Sequence, residues 1–74
     1  MLLSDWKPGD VGRILSLTGD RALRVRLMEM GLVPGTRVAV RNAVPMGGPM
    51  ELWLRGYALT LRREDAGCIK VEEV

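Results

Sequence analysis

The chain has 74 residues, 47% of them hydrophobic, with one cysteine, no histidine and a formal net charge of +2. A chain this short makes one domain, residues 1–74, and buries only about 60% of its unfolded surface. One cysteine excludes an internal disulfide, so aliphatic side chains must build the core.

Met1 to Asp10 reads as an arm leading into the body of the fold, with a turn at Pro8-Gly9. Val11 to Leu17 is strand-like, and Gly12 within it marks a bulge or a close packing contact. Thr18-Gly19-Asp20 breaks the chain, and Asp20 is a good N-cap. Leu23, Leu27 and Met30 then recur at helical spacing, which predicts a helix within 20–30. Such a helix is too short to persist alone in water and must pack on a sheet.

Gly31 suits the left-handed residue that ends a helix. Pro34 holds Val33 out of the helical region, and Pro34-Gly35 is strong turn chemistry. From Thr36 the chain alternates, with Val38 and Val40 on one face and Arg37, Ala39 and Arg41 on the other. A loop follows, then a strand from Met50 to Arg55. A hairpin corner at Gly56-Tyr57 leads into a strand ending at Leu61. Arg63 to Gly67 reads as one helical turn, and Cys68 to Glu72 as a last strand with Ile69 and Val71 inward. Five short strands, one helix and no long crossover predict a mainly β, antiparallel small barrel.

Three stretches carry a family resemblance. The first is Arg26, Leu27, Gly31, Leu32, Pro34 and Gly35; the second is Ala43-Val44-Pro45-Met46-Gly47-Gly48-Pro49. The third is Leu59-Thr60-Leu61-Arg62, Asp65-Ala66 and Ile69-Lys70-Val71. In this order and spacing they resemble the FeoA family, small proteins of bacterial ferrous-iron uptake. Many members have Gly-Asp where this chain has Gly47-Gly48, so one acidic side chain is missing. The resemblance implies an SH3-like barrel and a non-catalytic accessory role. It also implies a partner, the cytosolic GTPase region of an FeoB-type membrane transporter.

Enzymatic chemistry is poorly served by these residues. Without His, the usual general base and any Ser-His-Asp arrangement are missing. No GxxxxGK[ST] loop is present to cradle a phosphate. A lone Cys68 builds no thiolate metal site, and five Met are soft ligands poorly matched to ferrous iron. Glu64-Asp65 and Glu72-Glu73 are adjacent pairs, and neighbouring strand side chains diverge. The expectation is no cofactor and no stoichiometric metal.

No apolar run approaches the roughly 18–20 residues that cross a bilayer, and Met1-Leu2-Leu3 is followed at once by Ser4-Asp5. The expectation is a cytoplasmic protein that reaches a membrane only through a partner. Self-association stays open. The apolar candidates for partner binding are Leu27, Met30, Met46, Met50 and Trp53, beside the structural corner Gly31, Pro34 and Gly35. A second reading of Trp53 has the arm bearing Trp6 fold over and cover it. Leu27 and Met30 also suit the core. The basic residues are uneven: residues 1–41 carry seven Lys or Arg against four acids, a net +3. Arg21, Arg24, Arg26, Arg37 and Arg41 could form a nucleic-acid-binding face instead.

Overall fold

A computed structural model describes residues 1–44 and 46–74. Five strands form one sheet: β1 (Val11–Leu17), β2 (Arg37–Ala43), β3 (Met50–Leu54), β4 (Tyr57–Leu61) and β5 (Ile69–Glu73). Helix α1 (Arg21–Glu29) joins β1 to β2, and a single turn, α2 (Arg63–Ala66), joins β4 to β5. The order across the sheet is β4-β3-β2-β1-β5, antiparallel at every step. The fold is SH3-like.

Two register shifts bend the sheet around its core. One lies in β1 between Ile14 and Ser16, the other in β2 between Val40 and Asn42. Each adds local twist and turns a flat ladder inward. Among the described residues the ladder does not continue from β4 to β5; α2 carries the chain across that gap instead. The wrapped sheet therefore has two edges. The arm covers the β5 edge, where Leu2 bridges Lys70 and the Val71 amide donates to the Met1 carbonyl at 2.9 Å.

The core follows the strand alternation. Ile14, Val38, Val40, Met50, Leu52, Leu54, Leu61, Ile69 and Val71 point inward and are buried, with Leu27 of α1 and Leu32 beside them. The arm adds Leu3 and Trp6, both buried. Trp6 packs where β1 has no side chain: a Cβ on Gly12 would lie 2.6 Å from the Trp6 ring and 1.9 Å from the Glu72 carbonyl oxygen. Gly12 thus marks close packing, and the bulge lies further along β1. Arg63 clasps the arm to the rest. It donates to the carbonyls of Ser4 at 2.8 Å, Val44 at 3.3 Å and Gly48 at 3.3 Å.

Candidate binding face

The helix-to-strand corner is built from local hydrogen bonds. The Asp20 carboxylate caps α1 by accepting from the Leu23 amide at 2.8 Å. At the other end Gly31 has φ 93°. Its amide donates to Met28, and the Leu32 amide reaches back to the Leu27 carbonyl at 3.1 Å. That pair of bonds, with Leu27 and Leu32 both buried, is a Schellman ending. The Thr36 amide then closes a turn on the Val33 carbonyl at 3.1 Å, with Pro34 and Gly35 at its centre.

The corner is stapled to the β3–β4 hairpin. The Tyr57 hydroxyl donates to the Met30 carbonyl. Arg55 Nη2 donates to Thr36 Oγ1 at 3.1 Å, and that hydroxyl faces the Gly31 carbonyl at 3.4 Å. Arg55 itself has φ 51° and precedes Gly56 at φ 84°. Both central residues of the hairpin turn are therefore left-handed, a geometry that favours Asn or Gly at the first place.

The outer face of the sheet carries the second feature. Register places Val11 opposite Ala39, Ala39 opposite Trp53 and Trp53 opposite Ala58. An apolar row thus crosses four strands on the side away from the core. Arg13 lies opposite Arg37, and Arg55, the residue after β3, lines the same hollow as Arg37. Val11, Arg37, Ala39, Trp53 and Arg55 line a hollow of about 250 Å³, floored by Val38 and Leu54. Arg41 lies over the Trp53 ring, 5.0 Å from its centroid, with Nε 3.8 Å from Glu51 Oε1.

The five apolar candidates separate in this geometry. Leu27 and Met50 are fully buried, so they are not surface anchors. The cause is simple: Leu27 is the helix residue aimed at the sheet, and Met50 sits at an inward strand position. Met30 is half-buried against the core. Trp53 is 41% exposed, and Met46 stands fully in solvent. Trp6 does not cover Trp53, because it packs on Gly12 instead. Met46 lies in the β2–β3 loop, whereas Trp53 is three residues along β3 from Met50, roughly 10 Å away. Pro45 of that loop lies outside the described residues.

The basic cluster also divides. Arg21, Arg24 and Arg26 are on α1, and Arg37 and Arg41 are on β2. Arg24 donates to the Gly19 carbonyl, and Arg26 pairs with Asp65 at 3.7 Å. Sequence reasoning missed Arg13 and Arg55. Strand alternation puts Arg55 in series with Trp53, whereas Arg13 meets Arg37 only through the β1–β2 pairing, which no local signal gives. Among the described residues no group of three acidic, Cys or His side chains converges as a metal site.

Comparison with known proteins identifies relatives of the whole chain. The family model described as the FeoA domain matches residues 1–73. A fusion of Fe(2+) transport protein A with Fe(2+) transporter FeoB from Porphyromonas gingivalis is 38% identical over 72 residues. That match covers 97% of this chain and 8% of the fusion protein, so the chain spans a small part of that relative's length. A crystal structure of an iron uptake regulatory protein, FeoA, superposes with a TM-score of 0.93 at 31% identity. It covers all of this chain and 97% of the other. The solution structure of FeoA from Chlorobium tepidum has a TM-score of 0.89 at 39% identity, covering all of this chain and 70% of the other.

Proposed function

The chain belongs to the FeoA family, whose members are accessories of ferrous-iron transport. We propose that it binds the cytosolic, GTP-hydrolysing region of an FeoB-type transporter and modulates it without catalysis of its own. The observation that carries this reading is the Porphyromonas gingivalis fusion, in which a homologous unit and FeoB share one polypeptide. Tethering raises effective concentration, which is useful only where the two parts meet. The mechanism is population shift: tighter binding to one conformation of the partner favours that conformation.

On this reading the chain acts on the cytosolic side and reaches the membrane through its partner. No helix among the described residues is long and apolar enough to cross a bilayer. The contact surface is the exposed apolar set, Trp53 on the outer face and Met46 on the loop, with half-buried Met30 at the margin. Aromatic and Met side chains of this kind supply adaptable anchors.

Calorimetry of the purified chain against the purified cytosolic region of the transporter tests the reading. Saturable binding in the micromolar range or tighter supports it. Absence of heat and of pull-down at high micromolar concentrations of both partners overturns it.

A further inference from the structure

On the outer face Arg13 lies between Arg37 of β2 and Glu72 of β5, while Arg37 and Arg55, the residue after β3, meet at one hollow. Among the described residues no carboxylate lies within 4.0 Å of the Arg13, Arg37 or Arg55 guanidinium. Like charges directly opposite on neighbouring strands are destabilising. Arg55 adds a second cost, because it occupies a left-handed position that Gly or Asn would fill with less strain. Two local rules are broken at one place, beside an apolar hollow.

We infer that this hollow, with Arg37 and Arg55 at its rim and Val11, Ala39 and Trp53 on its wall, binds an acidic segment of a partner protein. An apolar side chain of that segment enters the hollow, and its flanking carboxylates meet the guanidinium groups. The volume, about 250 Å³, is below the roughly 300–1,000 Å³ of small-molecule sites. It suits one or two side chains of a docked peptide. Guanidinium groups favour carboxylates through paired hydrogen bonds. Arg55 lines the hollow, and its bond to Thr36 holds the side chain in place at the rim before any ligand arrives.

An RNA strand would also be drawn to arginines, but the geometry favours the peptide. Single-strand binding uses bare aromatic faces for base stacking. Here the Arg41 guanidinium already lies over the Trp53 ring. The inference deepens the transporter reading, on which it rests for the partner's identity and not for the chemistry of the site.

The test uses isotope-labelled protein and a capped tetrapeptide of one leucine among three glutamates. Expected are amide shifts at Val11, Arg37, Ala39 and Arg55 together with the Trp53 indole. The lysine-for-glutamate peptide should leave those resonances in place. R37E combined with R55E should weaken the peptide at least about tenfold, as loss of a complementary charge pair does. R55G relieves the left-handed turn but also removes the bond to Thr36, so its melting temperature is read beside its affinity: a melting temperature within a few degrees of wild type with weakened peptide binding separates binding from folding. Equal shifts with the lysine peptide, shifts centred on α1, or full binding by R37E/R55E overturn the inference. So does a 12-nucleotide RNA that shifts the same resonances more tightly than the peptide. A peptide response without binding to the transporter region removes that region as partner and leaves the acidic-segment site standing. Transporter binding indifferent to R37E/R55E removes the face as its docking surface.

Discussion

The corner at 31–36 and the face around Trp53 obey opposite rules. At the corner every local preference agrees with the structure: an acidic N-cap, Gly at the left-handed position, Pro-Gly in the turn, and Leu27 beneath Leu32. Such agreement across levels is what makes a segment fold to one conformation. On the outer face local preferences conflict. Arginine stands beside arginine, a long side chain occupies a left-handed turn position, and Trp53 is partly in solvent. The first region reads as scaffold and the second as a surface held ready for something else.

Substitutions break that contrast in a graded way. The largest expected effect is at Gly12, in neither region. An added methyl would sit 1.9 Å from the Glu72 carbonyl oxygen, so β1 and β5 must part and Trp6 must leave its seat. Gly12→Ala should cost about 3 kcal/mol or more of stability, read as a collapse of the thermal transition. An unaltered transition would mean that the arm and β5 are not packed as described. Leu27→Gln follows closely. It removes a core side chain and buries an amide, with an expected loss of about 3 kcal/mol in urea unfolding. Any loss of partner binding in that variant reflects unfolding, and a stable, fully folded Leu27→Gln would place Leu27 on the surface after all. Gly31→Val comes third, at roughly 1–3 kcal/mol for a β-branched residue at positive φ. Its new side chain also meets the Tyr57 hydroxyl. An unchanged melting curve would refute the left-handed assignment.

The same contrast explains what was legible in the sequence. Elements set by local chemistry were readable: the helix over 20–30, the Gly31 ending, the Pro34-Gly35 turn and the alternation of β2 and β3. Identity with a family was readable for the same reason, since its signature lies in those local signals. What required the sheet was not readable. Leu27 and Met50 resembled anchors because apolar residues look alike until packing decides which face they hold. Arg13 and Arg37 are far apart in sequence and meet only through the β1–β2 register, and Arg37 and Arg55 come to one hollow only in the folded sheet. Arg63 gave no sign of its role, because its acceptors are backbone carbonyls from the arm and a distant loop.

The smaller predictions concern binding alone. Trp53→Ala removes an exposed ring, so stability should move little while affinity for the transporter region falls by about 1 kcal/mol or more. Full affinity in that variant would shift the contact to another surface. The smallest effect belongs to the helix arginines. Arg21 and Arg24 lie on α1, away from the β1–β3 row, and Arg24 already donates to the Gly19 carbonyl. Charges at the margin of an interface act chiefly on the encounter rate, and salt screens them over a Debye length of about 8–10 Å. Arg21→Ala with Arg24→Ala should therefore change affinity by less than about 0.5 kcal/mol at physiological salt and flatten its dependence on added salt. Calorimetry at two salt concentrations reads both quantities. If this pair abolished binding while Trp53→Ala left it intact, the helix would be the recognition element, and the contrast between scaffold and binding face would reverse.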